Sequence, residues 1–507
     1  MDSAALFRAA PAQGAPSEQW RDPALAAPRW QGTSRPIILF GGLTACHDAL
    51  IAAALAGLGY PAQALPCADH AALQCGKEFG NRGQCNPTYF NVGNLLRTLF
   101  ALRDEQGLSP AAIIDRYVFV TVSACGPCRF GTYTTEYRKA LRDAGFAGFR
   151  VIGIRQEEGA EQIGADAPLR LDARFYLTGL ACVIAGDVLN GLAYRIRPYE
   201  RVPGATDAAV ARSLVILRDA LARRRGILRA LRRCRREFAA IAVDRLRVKP
   251  KVALIGEFWA MTTEGDGNYR LQHFLEAEGA EVVIEPLTAW VLYDIWCVEN
   301  DTRRRMLLPR RDSERHPSDS AAPLRTLFLA RLAARLVRAA FALAARAIGL
   351  RHCPLPDMAE LADASNDFYP TELRGGEGHL EVGKLITAVR NHKVDLVVSV
   401  KPFGCMPSSS VSDGIQALVT ARLPEANFLP IETSGDGATN AYSRVQMALF
   451  KARARAEATF ARTLAQAGLT PAQAADRLAN RPRLARALSD PPPVTAVTAA
   501  NLVRTLT

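Results

Sequence analysis

Short apolar strands alternating with helices occur twice along the chain, and this doubled pattern constrains the fold more than any other feature. In the first half, Pro36-Ile-Ile-Leu-Phe40 runs into Gly41-Gly42 and a helix-like stretch, Asp48–Leu58. Tyr117–Val122 and Phe149–Ile154 read as further strands, rich in β-branched and aromatic residues, and Val92–Arg103 and Glu136–Ala144 have helical spacing. The second half repeats the logic with strands Lys251–Ile255, Glu281–Ile284, Val394–Val400 and Asn427–Ile431. The intervening helices are Tyr269–Glu278, Gly383–Asn391 and a segment around Asp413–Ala421. Such alternation favours parallel sheets covered by helices, and 507 residues exceed what one core accommodates. The expected fold is therefore α/β, with two Rossmann-like parallel-sheet modules joined by a long helix and carrying a basic helical insertion.

The boundaries follow from composition. Residues 1–35, with Pro11, Pro16, Pro23 and Pro28, read as a loose leader. Residues 36–205 form the first α/β module, containing Cys85 and Cys128. Residues 206–250 are a helical connector, read as one Leu/Ile/Ala/Arg helix interrupted by Gly226. Residues 251–450 form the second module with Cys405, and 451–507 a helical and Pro-rich tail. The second module carries an insertion, 302–350, whose first part, 302–323, has the Arg, Ser, Asp and Pro content of a disordered segment. In the helix that follows, Leu324–Leu350, Arg331, Arg335 and Arg338 fall at i, i+4 and i+7, so one face is basic and the rest is Leu, Phe and Ala. Such a helix packs on its own protein or lies on a membrane surface or partner.

The net charge of +13 would suggest a nucleic-acid partner if it were spread over the chain. It is not: residues 206–250 hold 13 Lys+Arg against 4 acids and residues 301–352 hold 12 against 4, leaving the remainder at −4. Two Arg-rich helical stretches are more simply solvated helix faces than a phosphate-tracking surface, so no nucleic acid is expected. The best apolar run, Leu177–Gly186, stops at Asp187, so no transmembrane segment is expected. Eleven cysteines without an export signal point to reduced thiols or metal ligands and a cytoplasmic setting.

Three of those cysteines share a setting. Cys85 lies in Gly80-Asn-Arg-Gly-Gln-Cys85-Asn-Pro, ahead of an apolar helix, where backbone N–H groups can donate to a thiolate or a cluster sulfide. Strand Tyr117–Val122 runs into Ser123-Ala-Cys125-Gly-Pro-Cys128, and strand Val394–Val400 into Lys401-Pro-Phe-Gly404-Cys405-Met-Pro407. Loops at the carboxyl ends of parallel strands are where open α/β sheets bind ligands, and three thiolates suit a [4Fe–4S] cluster with one open iron. Cys125-Gly-Pro-Cys128 also reads as a thioredoxin-type dithiol, and zinc takes the same soft ligands. Cys75 could approach the Cys85 site, Cys46 precedes His47 in a strand-to-helix turn, and Cys67, Cys182, Cys234, Cys297 and Cys353 default to the core. Glu257, in Gly256-Glu-Phe-Trp259, reads as an acid/base or substrate-binding group or as a cap of the following turn. Gly265-Asp-Gly267 and Gly375-Gly-Glu-Gly378 are weak phosphate-loop candidates.

At Gly80–Asn94, Ser123–Arg138, Arg197-Pro-Tyr-Glu200, Leu254–Asn268, Pro402–Pro407 and Ser434–Arg444 the sequence resembles the acyl-CoA dehydratase activase-related proteins. Their core is similar to the D-component of 2-hydroxyglutaryl-CoA dehydratase, of the 2-hydroxyacyl-CoA dehydratase family. The resemblance implies Cys85, Cys128 and Cys405 as ligands of a [4Fe–4S] cluster, with Cys125 as a further candidate; Cys75 as a ligand and Glu257 as a catalytic group are candidates on their own sequence contexts. It implies a separate activase ATPase of the acetate-kinase/Hsp70-like fold that supplies low-potential electrons; an acyl-CoA substrate and a dimer are further partner candidates. The leading activity is a 2-hydroxyacyl-CoA dehydratase-like lyase. A double-cubane cluster reductase of small molecules and a non-catalytic Fe–S scaffold or electron carrier are the alternatives.

Overall fold

The computed structural model describes residues 35–123, 128–155, 159–161, 171–307, 323–373 and 378–507. The loose leader, Cys125 and the Gly375–Glu377 part of the second Gly-rich loop lie outside these residues. The first module runs β1 (Ile37–Phe40), α1 (Ala45–Gly57), β2 (Ala62–Ala64), α2 (His70–Phe79), α3 (Asn86–Asp104), α4 (Pro110–Arg116), β3 (Tyr117–Ser123), α5 (Tyr133–Asp143), β4 (Arg150–Arg155) and β5 (Gly159–Glu161). Helices α6 (Ala173–Ile196), α7 (Ala205–Ala222) and α8 (Ile227–Ala239) follow. The second module runs β6 (Lys251–Gly256), α9 (Phe258–Thr262), α10 (Leu271–Ala277), β7 (Glu281–Ile284), α11 (Thr288–Leu307), α12 (Pro323–Ile348), α13 (Met358–Ser365), α14 (Gly378–Arg390), β8 (Leu396–Pro402), α15 (Met406–Ser410), α16 (Gln416–Arg422) and β9 (Phe428–Thr433). Helices α17 (Ala438–Ala467), α18 (Pro471–Ala479) and α19 (Thr498–Leu506) complete the chain.

The fold is α/β with two Rossmann-like parallel sheets. The first has the order β2-β1-β3-β4-β5 and the second β7-β6-β8-β9. Every pairing is parallel except β4 with β5, an antiparallel edge that the sequence did not signal. β8, Leu-Val-Val-Ser-Val-Lys-Pro, is buried along its whole length, as a central strand covered on both faces must be.

The two modules share a core. Helices α2 and α3 approach closely because Gly76 and Gly93 have no side chain: a Cβ at either would lie 1.8 Å from a carbonyl oxygen of the other helix, Tyr89 or Ala72. From this pair, Leu73 and Phe90 enter the core of the second module with Leu254, Tyr269 and Val400, and the Phe90 and Trp259 rings lie 5.4 Å apart. Burying those side chains holds the carboxyl ends of both sheets together.

Three expectations need correction. The connector is two helices rather than one, because Gly226 (φ 74°) and Arg224 (φ 53°) adopt left-handed conformations and fold α8 back onto α7. The segment 302–307 is the last part of α11, not disorder, while 308–322 lies outside the described residues. Cys67 is exposed rather than a core residue. Among the described residues one helix, Ala173–Tyr199, is long and apolar enough to cross a membrane, and half of its apolar window is buried inside the protein. Its Asp187 accepts from the backbone N–H of Leu287 and from the N–H and hydroxyl of Thr288, which caps α11.

The tail is docked rather than loose. Thr498 donates to Glu281 at 2.6 Å, Tyr199 donates to the same carboxylate at 2.8 Å, and Lys251 lies 3.1 Å from it. Burial opposes the charge, but Lys251 and the two hydroxyls outweigh it and hold Glu281 below its ordinary pKa. The Arg197-Pro-Tyr-Glu200 stretch belongs to the same joint: Arg197 pairs with Glu276 at 3.0 Å and Asp207 at 2.9 Å, and Glu200 accepts from Gly204 and Thr206 at the start of α7.

Candidate functional site

Each of the three singled-out cysteines is the N-cap residue of a helical segment: Cys85 of α3, Cys128 of the 3-10 turn Arg129–Thr132, and Cys405 of α15. The sequence dictates this locally. Pro87 and Pro407 stand in the first turn, where no intrahelical N–H is needed, and Gly404 takes φ 76° to swing the chain from β8 into α15.

The loops converge across the two modules. Asn86 N–H donates to the Phe403 carbonyl at 3.0 Å, and Asn86 Nδ2 donates to the Thr433 carbonyl at 2.6 Å. A Cβ on Gly404 would meet Cys85 Cα and the Gln84 carbonyl oxygen at 3.2 Å, and Arg129 Nη1 at 3.5 Å. Arg129, directly after Cys128, donates to the Gly83 carbonyl, so the third loop is tied to the other two. Cys85 and Cys405 are buried, Cys128 is half-buried, and Phe403 and Met406 beside Cys405 are exposed.

The surroundings of Cys85 are polar and ordered. Its sulfur lies 3.3 Å from Thr88 Oγ1 and 3.2 Å from the Tyr133 hydroxyl. Burial first, then Cys85 and Glu257, hold the Tyr133 phenol well above its ordinary pKa. Glu136 accepts from Asn81 N, Asn81 Nδ2 and Gln84 Nε2 at 3.2, 2.7 and 3.0 Å, fixing the loop ahead of Cys85. Sequence reasoning missed Arg129, Tyr133 and Glu136 as part of this site. Their mutual spacing of four and then three residues, starting directly after Cys128, was the available signal, since it aligns them on one helical face.

Glu257 stands at the carboxyl end of β6, and its carboxylate caps α9 by accepting from Ala260 N at 2.8 Å. Cys75 faces the apolar core of the first module beside Phe79, and burial, with Glu78 adding, pushes its thiol up to about 11. Burial likewise pushes Cys46 and Cys182 to about 12 and Cys234 to about 11, so these remain thiols. Among the described residues no three His, Cys, Asp or Glu side chains are gathered as a metal-ligand set. The Gly265–Gly267 loop is filled by its own protein: Asp266 accepts from His70 N at 2.9 Å and Arg270 Nε at 2.9 Å.

No family model and no curated protein matches this chain.

A second polar cluster lies at the junction of α1, α6 and α11. His47 Nε2 is 3.3 Å from Asp187, its Nδ1 is 2.7 Å from Thr44 Oγ1, and Asn190 donates to Thr44 at 2.9 Å. These groups edge a cavity of about 40 Å³ that Tyr194 and Glu285 also line. Their hydrogen bonds run to one another and to the cap of α11, which makes the cluster a joint between helices.

Proposed function

We propose that the chain binds an iron–sulfur cluster through Cys85, Cys128 and Cys405 and serves as the redox component of an ATP-activated system resembling the 2-hydroxyacyl-CoA dehydratases. The observation that carries this reading is the backbone bond from Asn86 to Phe403, which brings a cysteine turn of one sheet against a cysteine turn of the other. The chemistry of the donors suits such a cluster, since thiolates are its usual ligands and each thiol stands at the N-cap of a helical segment, although among the described residues the three are not gathered as a ligand set. A cluster held there, of [4Fe–4S] or double-cubane type, would take low-potential electrons from a separate activase ATPase.

The protein's own groups have definable tasks beside it. The Thr88 and Tyr133 hydroxyls, within hydrogen-bond distance of the Cys85 sulfur, would donate to it as a cluster ligand, and such bonds raise a reduction potential. Arg129 ties the Cys128 turn to Gly83 and places a cation beside Gly404. In the dehydratase reading Glu257 is the acid/base group and an acyl-CoA is the substrate. Its engagement as the cap of α9 favours a second reading, a cluster-bearing electron carrier that does no chemistry itself.

The test is iron, zinc and acid-labile sulfide on anaerobically purified protein, with Cys85, Cys128 and Cys405 each replaced by Ala. About four irons per chain, lost in every variant, support the single cluster, and about eight support a double cubane. Iron-free protein after reconstitution overturns both and leaves a Cys125–Cys128 dithiol to be assayed.

A further inference from the structure

Helix α12 turns to solvent a face that a core-packed helix would cover. Leu324, Phe328, Leu332, Leu336 and Leu343 recur at helical intervals along one side and are between 40 and 71 % exposed. Its other side is the one that packs: Val337, Phe341, Ala344 and Ile348 are buried against α8 and α11. The helix α11 extends the exposed apolar surface. Glu299 and Arg331, paired at 2.9 Å, lie equally far from the facing ends of the two helices, which places Met306 and Leu307 beside Leu324. Leu307 is 84 % exposed.

The charge of α12 has one sign. Every ionisable residue of α12 is arginine. Arg338 turns inward to the Leu355 and Pro356 carbonyls, and Arg331 pairs with Glu299. Arg325, Arg335 and Arg346 are exposed and form no ion pair among the described residues.

These features select among occupants. A second copy docked about a two-fold axis would set arginine against arginine across the interface, which is repulsive. A neutral apolar groove would leave the guanidinium groups without counter-charge. The headgroup layer of an anionic bilayer accommodates both, since leucine and phenylalanine reach the acyl boundary while arginines extend to phosphates. We propose that the α11–α12 pair is a docking element for an anionic membrane surface, lying in the headgroup layer without crossing it. This goes beyond the redox reading and does not depend on it.

Flotation of the full-length protein with vesicles of phosphatidylcholine alone, and of phosphatidylcholine mixed with phosphatidylglycerol, tests the proposal. The protein is expected to float with the mixed vesicles, to do so less as salt rises, and to stay behind with the neutral ones. L324E/F328E and, separately, R325E/R335E should each lower the bound fraction about tenfold, with melting and circular dichroism unchanged because all four side chains are exposed. Absence of flotation, or flotation that L324E/F328E leaves intact, overturns the proposal. So does a wild-type dimer in sedimentation velocity that F328E dissociates while vesicles recover nothing.

Discussion

The N–H of Asn86 donates to the carbonyl of Phe403 at 3.0 Å, so the residue after Cys85 is fastened to a residue two before Cys405 although each cysteine belongs to a different sheet. The Asn86 side chain adds a second tie, to Thr433 at 2.6 Å. Asn86→Ala keeps the first bond and removes the second from a buried site. The expected cost is about 1–2 kcal/mol, read as a lower urea midpoint. The turns should also part more often, so Cys85 and Cys405 are alkylated faster by iodoacetamide under native conditions.

The shared core gives a harsher test. Phe90 belongs to the first module by sequence but packs on Trp259 of the second. Phe90→Ala should cost about 3–5 kcal/mol. Because the ring bridges both modules, tryptophan fluorescence and far-ultraviolet circular dichroism should shift to the same lower denaturant midpoint. Separate transitions would mean that the modules fold independently.

The doubled alternation of strands and helices was legible because parallel strands buried on both faces are runs rich in β-branched residues, as at Val397-Val398-Ser399-Val400. The short edge β2, Ala-Gln-Ala, carries no such signal and forms because β1 offers it a hydrogen-bonding edge. The cysteine loops could be placed at strand ends from local sequence. Their convergence could not, since it depends on Gly76 and Gly93 letting α2 and α3 meet and on Leu73 and Phe90 crossing into the other module. The i, i+4, i+7 arginines of α12 suggested a purely basic face, but Arg338 points inward and leucines share the outer surface. Periodicity reports spacing, and only packing decides which side faces water.

Two glycines separate backbone strain from contact. Gly83 (φ 78°) and Gly404 (φ 76°) share a left-handed conformation, so alanine at either costs about 1–2 kcal/mol. A Cβ at Gly83 meets nothing within 4 Å, whereas one at Gly404 lies 3.2 Å from Cys85 Cα. Gly404→Ala should therefore exceed Gly83→Ala in destabilisation, and it alone should lower iron retained by the cysteine site. Equal losses in stability and iron would show that the contact between the two turns carries no weight.

Asp48, on α1, offers a pH dependence whose sign can be fixed in advance. Burial pushes its carboxyl from 3.8 up to about 6, against the favourable effects of His47 and of the Gly42 and Leu43 N–H groups. Between those values the folded protein holds a proton that the unfolded chain has released, so this group's stabilising contribution is full below pH 3.8 and disappears as pH rises through about 6. Asp48→Asn removes the ionisation while keeping the shape. Relative to wild type the variant should gain on the order of 2 kcal/mol at neutral pH and nothing near pH 4. Asp395 is likewise raised to about 6 by burial and imposes a slope of the same sign on both proteins, so the difference between their urea midpoints is the quantity to follow. Parallel curves would mean that Asp48 is solvated well enough to ionise normally, and the burial argument at the end of β1 would fail.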